Sequence, residues 1–139
     1  MKLNVQTQIQ INAKPAKIWN VLCNTTNYPN WNPFVKSLEG KLAKGEKIKV
    51  VLDGMTFKPT VQEFEPSKKF SWLGHLFIKG LFDGHHQFEL IDNGDGTTTF
   101  LHSEDFNGLL VGLLKNKLQT ETKASFEKMN EALKREVEN

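Results

Sequence analysis

Hydrophobic and polar residues alternate strictly from the third position. Leu3, Val5, Thr7, Ile9 and Ile11 fall on one face, and Asn4, Gln6, Gln8 and Gln10 on the other. Side chains of a strand point alternately to its two sides, so this predicts a half-buried β-strand. Ala13-Lys14-Pro15 follows. Proline is favoured at a first helical position, where its missing N–H has no partner in any case. Ile18, Trp19 and Leu22 share one helical face and predict a short helix over about residues 15–23. Asn24 to Asn32 is rich in turn formers. It predicts a second short helix or turn, ending in the extended segment Trp31-Asn32-Pro33-Phe34.

From residue 35 to 106 the pattern is mainly that of strands. Ile48, Val50 and Leu52 alternate with Lys47, Lys49 and Val51, and Asp53-Gly54 is a hairpin signal. Phe57, Pro59 and Val61 come next, and Pro59 argues for an edge or a bulge. Glu65-Pro66-Ser67-Lys68 reads as a turn. Phe70, Trp72 and Gly74 then alternate with Ser71, Leu73 and His75. After a softer stretch, Lys79 to Gly84, the inward positions are His86, Phe88 and Leu90. Asn93-Gly94-Asp95-Gly96 is a hairpin turn. Beyond it Thr98, Phe100, His102, Glu104 and Phe106 alternate with Thr99, Leu101, Ser103 and Asp105.

The last third changes period. Leu118, Thr122, Phe126, Met129, Leu133 and Val137 form one stripe on a long helix, with Lys117, Glu121, Lys128, Glu131 and Arg135 opposite. Leu109 to Leu114 is apolar at too many positions for one stripe and is expected to meet apolar partners on both sides. The order is thus one strand, two short helices, about six antiparallel strands and one long helix. A curved antiparallel sheet has one face to cover, and a single amphipathic helix can do it. One helix is narrow against such a sheet, so part of the concave face is expected to stay open as a cavity.

Composition narrows the function classes. The 139 residues are 38% hydrophobic and 24% charged, a globular balance of one-domain size. The net charge of +2 comes from 18 basic and 16 acidic residues, too even for a nucleic-acid surface. Of those 18, only Arg135 is an arginine, whereas phosphate sites favour the arginine fork. The single cysteine, Cys23, excludes an internal disulfide and a cysteine-based zinc site, and it fits a reducing, cytoplasmic setting. It reads as a small buried apolar residue rather than a nucleophile. No apolar run approaches the roughly 20 residues of a membrane helix, and the polar alternation from residue 3 is unlike a signal peptide. No phosphate-binding glycine loop or Gly-x-Ser-x-Gly motif occurs.

The element order and three segments carry a family resemblance. The segments are Ala13-Lys14-Pro15-Ala16-Lys17-Ile18-Trp19, Tyr28-Pro29-Asn30-Trp31-Asn32-Pro33-Phe34 and His102-Ser103-Glu104-Asp105-Phe106-Asn107-Gly108. They resemble the START-like (Bet v 1-like) superfamily, and within it SRPBCC proteins of the polyketide cyclase/dehydrase and lipid-transport type. The resemblance covers nearly the whole chain. It implies a single α+β domain with a helix-grip fold, in which a curved seven-stranded antiparallel sheet wraps around the C-terminal helix over a hydrophobic pocket. It does not imply one activity. Members bind lipids, hormones or polyketides, catalyse cyclisation or aromatisation, or act as co-chaperone domains, so function must be argued from the site.

The chemistry-bearing candidates sit on the last hairpin. If the Asn-Gly-Asp-Gly turn pairs its strands symmetrically, Leu90 faces Thr98, Phe88 faces Phe100 and His86 faces His102, with Glu104 on the same side. Three ionisable groups, His86, His102 and Glu104, would then point into an apolar pocket. They suit a structural or ligand-orienting hydrogen-bonded cluster, a general base with its orienting carboxylate, or a metal site. His85 should point the opposite way. The expected pocket lining is Trp31, Phe34, Phe57, Trp72, Phe88 and Phe100 from the sheet side. Leu110, Leu114, Phe126 and Met129 would complete it from the helix side. For each of these residues an ordinary packed core is the competing reading.

Leu76 to Gly84 is expected to expose Leu76, Phe77, Ile78, Leu81 and Phe82 as a gate or an interface, together with Asn107 to Gly112. Lys36, Lys41, Lys44, Lys47 and Lys49 read as a solvated edge. The expected partner is a small hydrophobic or amphipathic ligand, with no cofactor and no metal. A cyclase or dehydratase using a His–Glu pair and a partner-binding domain using the Leu76–Phe82 face are the alternatives. The exposed segments are compatible with transient membrane contact and with a homodimer.

Overall fold

The alternating opening segment is β1 (Lys2–Ile11), and Val5, Thr7 and Ile11 are buried on its inner face. A computed structural model describes residues 1–76 and 78–139. Pro15 starts α1 (Pro15–Cys23), which buries Ile18, Trp19 and Leu22. A 3₁₀ turn (Thr25–Asn27) leads into α2 (Tyr28–Trp31). The strands that follow are β2 (Ser37–Glu39), β3 (Lys49–Leu52), β4 (Met55–Phe57), β5 (Thr60–Glu65), β6 (Lys69–Leu76), β7 (Phe82–Asp92) and β8 (Thr98–Asn107). The C-terminal helix is α3 (Val111–Lys117), a π-helical turn (Leu118–Thr122) and α4 (Lys123–Glu138) in direct succession.

The architecture is α+β and of helix-grip type, but the strands do not form one seven-stranded sheet. They form a five-stranded antiparallel sheet, β1-β8-β7-β6-β5, and a three-stranded one, β2-β3-β4. Among the described residues one isolated bridge, Lys47 with Thr60, links the two near Pro59, where the strand pattern is interrupted. Proline has no N–H to give a ladder, and β5 also shifts register between Val61 and Glu63. The edge signal at Pro59 therefore marks the place where the sheet splits. Asp53-Gly54 does close the β3–β4 hairpin, where Leu52 pairs with Met55.

Two further expectations change. The helix begins at Val111, well before Leu118. Only Val111 of the Leu109–Leu114 run is buried, while Leu109 and Leu113 are 80% and 82% exposed. The first helical turns lie at the end of the sheet and meet protein on one side alone. In the β6–β7 connection Ile78 is exposed, but Phe82 is buried and packs on Phe106 with ring centroids 5.5 Å apart. The expected exposed run therefore shrinks to its middle. Phe77 lies outside the described residues. The five lysines of the predicted edge are all exposed.

The core sits between the inner sheet face and α4. Phe70, Phe88 and Phe100 are fully buried there against Met129, Leu133 and Val137 from the helix, with α1 closing the side. A second cluster joins Val5, Phe82, Phe106, Val111, Leu118 and Phe126 at the other end.

Candidate functional site

The inner face of β6, β7 and β8 changes character along its length. At one end it carries Phe70, Phe88 and Phe100. At the other it carries Gly74 and Gly84, which are cross-strand partners, beside Leu76, Phe82 and Phe106. The facing glycines let other side chains come close to the strands: the Phe57 ring packs over Gly74, and Glu104 Oε2 stands over Gly84. Both line a cavity of about 700 Å³ between the sheet and the helix. The helix wall is Leu114, Lys117, Leu118, Glu121, Thr122 and Ser125, so the π-helical turn lies against the cavity. Such turns disturb the regular helix and are frequent at functional sites. Phe34, Leu52, Met55 and Phe57 close it from the small sheet and the segment before it. Asn32 holds that segment in place, its Oδ1 accepting the N–H groups of Phe34 and Val35 at 3.0 and 2.9 Å.

Thus Phe34, Phe57, Trp72, His86, Glu104 and Leu114, all predicted lining residues, face the cavity. Phe88, Phe100 and Met129 are instead packed core. His102 and Phe126 are buried behind the cavity, and Leu110 packs in the second cluster. Trp31 is half-buried against Tyr28, and its buried Nε1 has no partner among the described residues. Lining residues that the expected set lacked are Leu52, Met55, Phe106, Leu118 and the polar helix positions, and Leu76 and Phe82, expected as an exposed gate, also face the cavity. For Gly74 and Gly84 the signal was there to read: glycine inside an alternating strand marks a close approach or a missing wall.

The polar cluster has a different register from the symmetric one. His86 pairs with Glu104 and Phe88 with His102, because β7 and β8 run on to Asp92 and Thr98. Asn93 N–H donates to the Thr97 carbonyl at 3.0 Å and closes a shorter turn than expected. The shift is by two residues, so every side chain keeps its face. His86 Nδ1 lies 2.8 Å from Glu104 Oε1, and His86 Nε2 lies 2.7 Å from His102 Nε2. His102 Nδ1 lies 2.9 Å from Asn130 Oδ1 on α4. Asn130 Nδ2 donates to Thr7 Oγ1 at 2.8 Å, and that hydroxyl donates to the His102 carbonyl at 2.8 Å. A five-residue chain therefore runs from the cavity wall into the core.

Aromatic faces pack both imidazoles. His86 stacks on Trp72 at 4.9 Å and on Phe34 at 5.7 Å, and His102 stacks on Phe126 at 4.3 Å. Burial, followed by repulsion from His85, pushes the His86 pKa down to about 3. Burial also holds His102 well below its ordinary value, with Asn130 and the Phe126 backbone opposing. Burial raises the Glu104 carboxyl to about 8, with His85 opposing and Asp105 adding to the rise. His85 itself lies on the opposite face, its Nε2 3.1 Å from Ser71 Oγ.

All four imidazole nitrogens of His86 and His102 are occupied within the chain, so the polar group that the sheet side offers to the cavity is Glu104. Its Oε2 stands over Gly84, where any Cβ would collide with it. Among the described residues no set of three His, Cys, Asp or Glu side chains is placed to hold a metal ion. Cys23 is half-buried, and burial raises its thiol to about 12, unlike a nucleophile. Among the described residues no helix is long and apolar enough to cross a membrane.

The fold is shared with solved proteins of low identity. A hypothetical protein of Helicobacter pylori aligns with a TM-score of 0.84 at 13% identity, covering 97% of this chain and 88% of that one. A START superfamily protein of Mycobacterium smegmatis aligns at 0.72 and 21%, covering 97% of both chains. The ZhuI aromatase/cyclase of Streptomyces sp. R1128 aligns at 0.74 and 12%, covering 99% of this chain and 94% of that one. No curated protein matches the chain. The model of the family described as polyketide cyclase / dehydrase and lipid transport matches residues 2–138, and the chain belongs to that family.

Proposed function

We propose that this protein binds a small hydrophobic or amphipathic molecule, such as a lipid, isoprenoid or aromatic compound, in the cavity under the helix. One observation carries the reading: a space of about 700 Å³ with a largely apolar sheet-side wall and polar residues along its helix side. Removing about 300 Å² of ligand surface from water supplies about 7 kcal/mol before the costs of association. Trp72, Phe57 and Leu114 provide apolar contact, and Glu104 provides the polar contact on the sheet side. Native mass spectrometry of the protein purified from its own cells tests this. A stoichiometric small molecule, released on mild denaturation, is the expected result. A clean apo mass together with no binding of apolar probes contradicts it.

A second reading, a cyclase- or dehydratase-type enzyme, is favoured by the His86–Glu104 pair at the cavity wall. Both His86 nitrogens are engaged, so a proton would reach substrate through Glu104. If Glu104→Gln leaves turnover of a poly-β-keto substrate intact, that assignment fails. The partner-binding reading loses most of its face, because Phe82 is buried and Leu81 half-buried. Among the described residues of these segments the exposed large apolar side chains are Ile78, Leu109 and Leu113; the Leu109 N–H bonds to the Gly80 carbonyl and draws the two segments together. We assign this patch, with Lys79 and Lys115 beside it in the chain, to transient membrane contact during ligand exchange. Co-sedimentation with anionic vesicles that is lost in Leu109→Ser/Leu113→Ser supports it. A concentration-dependent dimer abolished by the same changes would assign the patch to self-association instead.

A further inference from the structure

A carbonyl oxygen can only accept a hydrogen bond, and that fixes the direction of the chain behind the cavity. The Thr7 hydroxyl has one hydrogen and gives it to the His102 carbonyl. Its oxygen must therefore accept from Asn130, which places the amide NH₂ at Thr7 and the amide oxygen at His102. That oxygen accepts from His102 Nδ1–H. A neutral His102 then has a bare Nε2, which accepts from His86 Nε2–H. A neutral His86 has a bare Nδ1, and the atom 2.8 Å away is Glu104 Oε1. Two acceptors cannot share a hydrogen bond, so the hydrogen must come from the carboxyl. The alternative with the same proton count puts an imidazolium and a carboxylate among Trp72, Phe34 and Phe126, where both charges lose their water.

We infer that Glu104 is a resident carboxylic acid, whose O–H donates a hydrogen bond to His86 Nδ1 while Oε2 faces the cavity as a neutral acceptor. The cavity accordingly selects ligands whose buried polar end is a hydroxyl, as in an alcohol or phenol, over carboxylates. A carboxylate would set its lone pairs against those of Oε2 without a proton between them. The other ionisable groups near Glu104 are of both signs. His85 and Asp105 lie on the outer sheet face, and on the helix wall Lys117 is followed one turn later by Glu121. Gly84 is part of the device, since a side chain there would take the place of Oε2. The inference rests on the ligand-binding reading and narrows it to one polar end.

The test uses three probes on one skeleton: 2-naphthol, 2-methoxynaphthalene, which lacks the donor, and 2-naphthoate. Their affinities are measured at pH 6.5 by calorimetry for the wild type, Glu104→Gln and Glu104→Leu. Naphthol should bind about three- to tenfold tighter than its methyl ether, the range of one net hydrogen bond, and naphthoate should be the weakest. Glutamine can donate to His86 from its NH₂ and offer its carbonyl to the cavity, so Glu104→Gln should keep the preference. Glu104→Leu should lose it while still binding the ether. Equal affinities for naphthol and ether in the wild type, or naphthoate as the tightest probe, overturn the inference and leave the binding reading standing. If none of the three binds, the binding reading itself fails and the inference falls with it. Long-range ¹H–¹⁵N spectra of the unliganded protein give an independent check. His86 should carry hydrogen on Nε2 alone and His102 on Nδ1 alone; a doubly protonated His86 contradicts the inference.

Discussion

The two ends of one sheet face teach different lessons. At the packed end Phe70, Phe88 and Phe100 meet Met129 and Leu133, and no space remains. At the hollow end the same strands carry Gly74, Gly84 and Glu104, and the helix answers with a π-helical turn and polar residues. The alternation is continuous across both ends, so what differs is side-chain volume. The packed end holds the fold together, and the hollow end leaves the space that the proposed ligand would fill. The Glu104–His86–His102–Asn130–Thr7 chain lies at the border and ties the cavity wall to the core.

The largest break comes from the packed end. Phe88→Ala should cost about 3–5 kcal/mol in denaturant unfolding, through lost transfer energy and the void left behind. Asn130→Ala comes next. It strands His102 and Thr7 in the core and should cost about 1–3 kcal/mol. If its cost matches that of an exposed alanine substitution on the same helix, the polar chain is not holding the border.

The pH dependence of stability follows. His86 and His102 bind fewer protons folded than unfolded below about 6.5, so stability rises with pH up to that point. Glu104, raised to about 8, binds more protons folded than unfolded from about 4.5 upward. Between 4.5 and 6.5 the two histidines outweigh it, and above 6.5 it acts alone. Stability should peak near pH 6.5 and fall by up to about 2 kcal/mol towards pH 8. Glu104→Gln should remove that fall, and a fall that survives the substitution assigns it to another group. The smallest effect belongs to the hollow end. Leu114→Ala should cost less than about 1 kcal/mol, since the side chain already faces open space, yet weaken binding of apolar probes.

How much of this was legible in the sequence depends on what each pattern encodes. Alternation fixes faces, so it placed His86, His102 and Glu104 on the inner side together. It does not fix how far two strands slide, and the turn closed by Asn93 and Thr97 moved Glu104, not His102, opposite His86. Phe88 and Phe100 were credited to a pocket as inner aromatic residues, yet they fill the space they face. Hydrophobicity says that a residue is inward, whereas a cavity is made by what is missing. Gly74 and Gly84 carried a different message, the close approach of Phe57 and Glu104 to the strands. Asn130 was invisible because it interrupts an apolar stripe with a residue that only the strands' polar groups can satisfy. The exposed Leu109 and Leu113 broke the rule that apolar residues are covered, as an end of a helix beyond its sheet permits.

The most direct test of the hollow end is a crystal structure of the protein with 2-naphthol. The expected result is an open cavity with the ring against Trp72, Phe57 and Leu114 and the hydroxyl on Glu104 Oε2. A cavity closed by Phe34, Phe57 and Met55, with the probe absent or bound elsewhere, would contradict the proposed site.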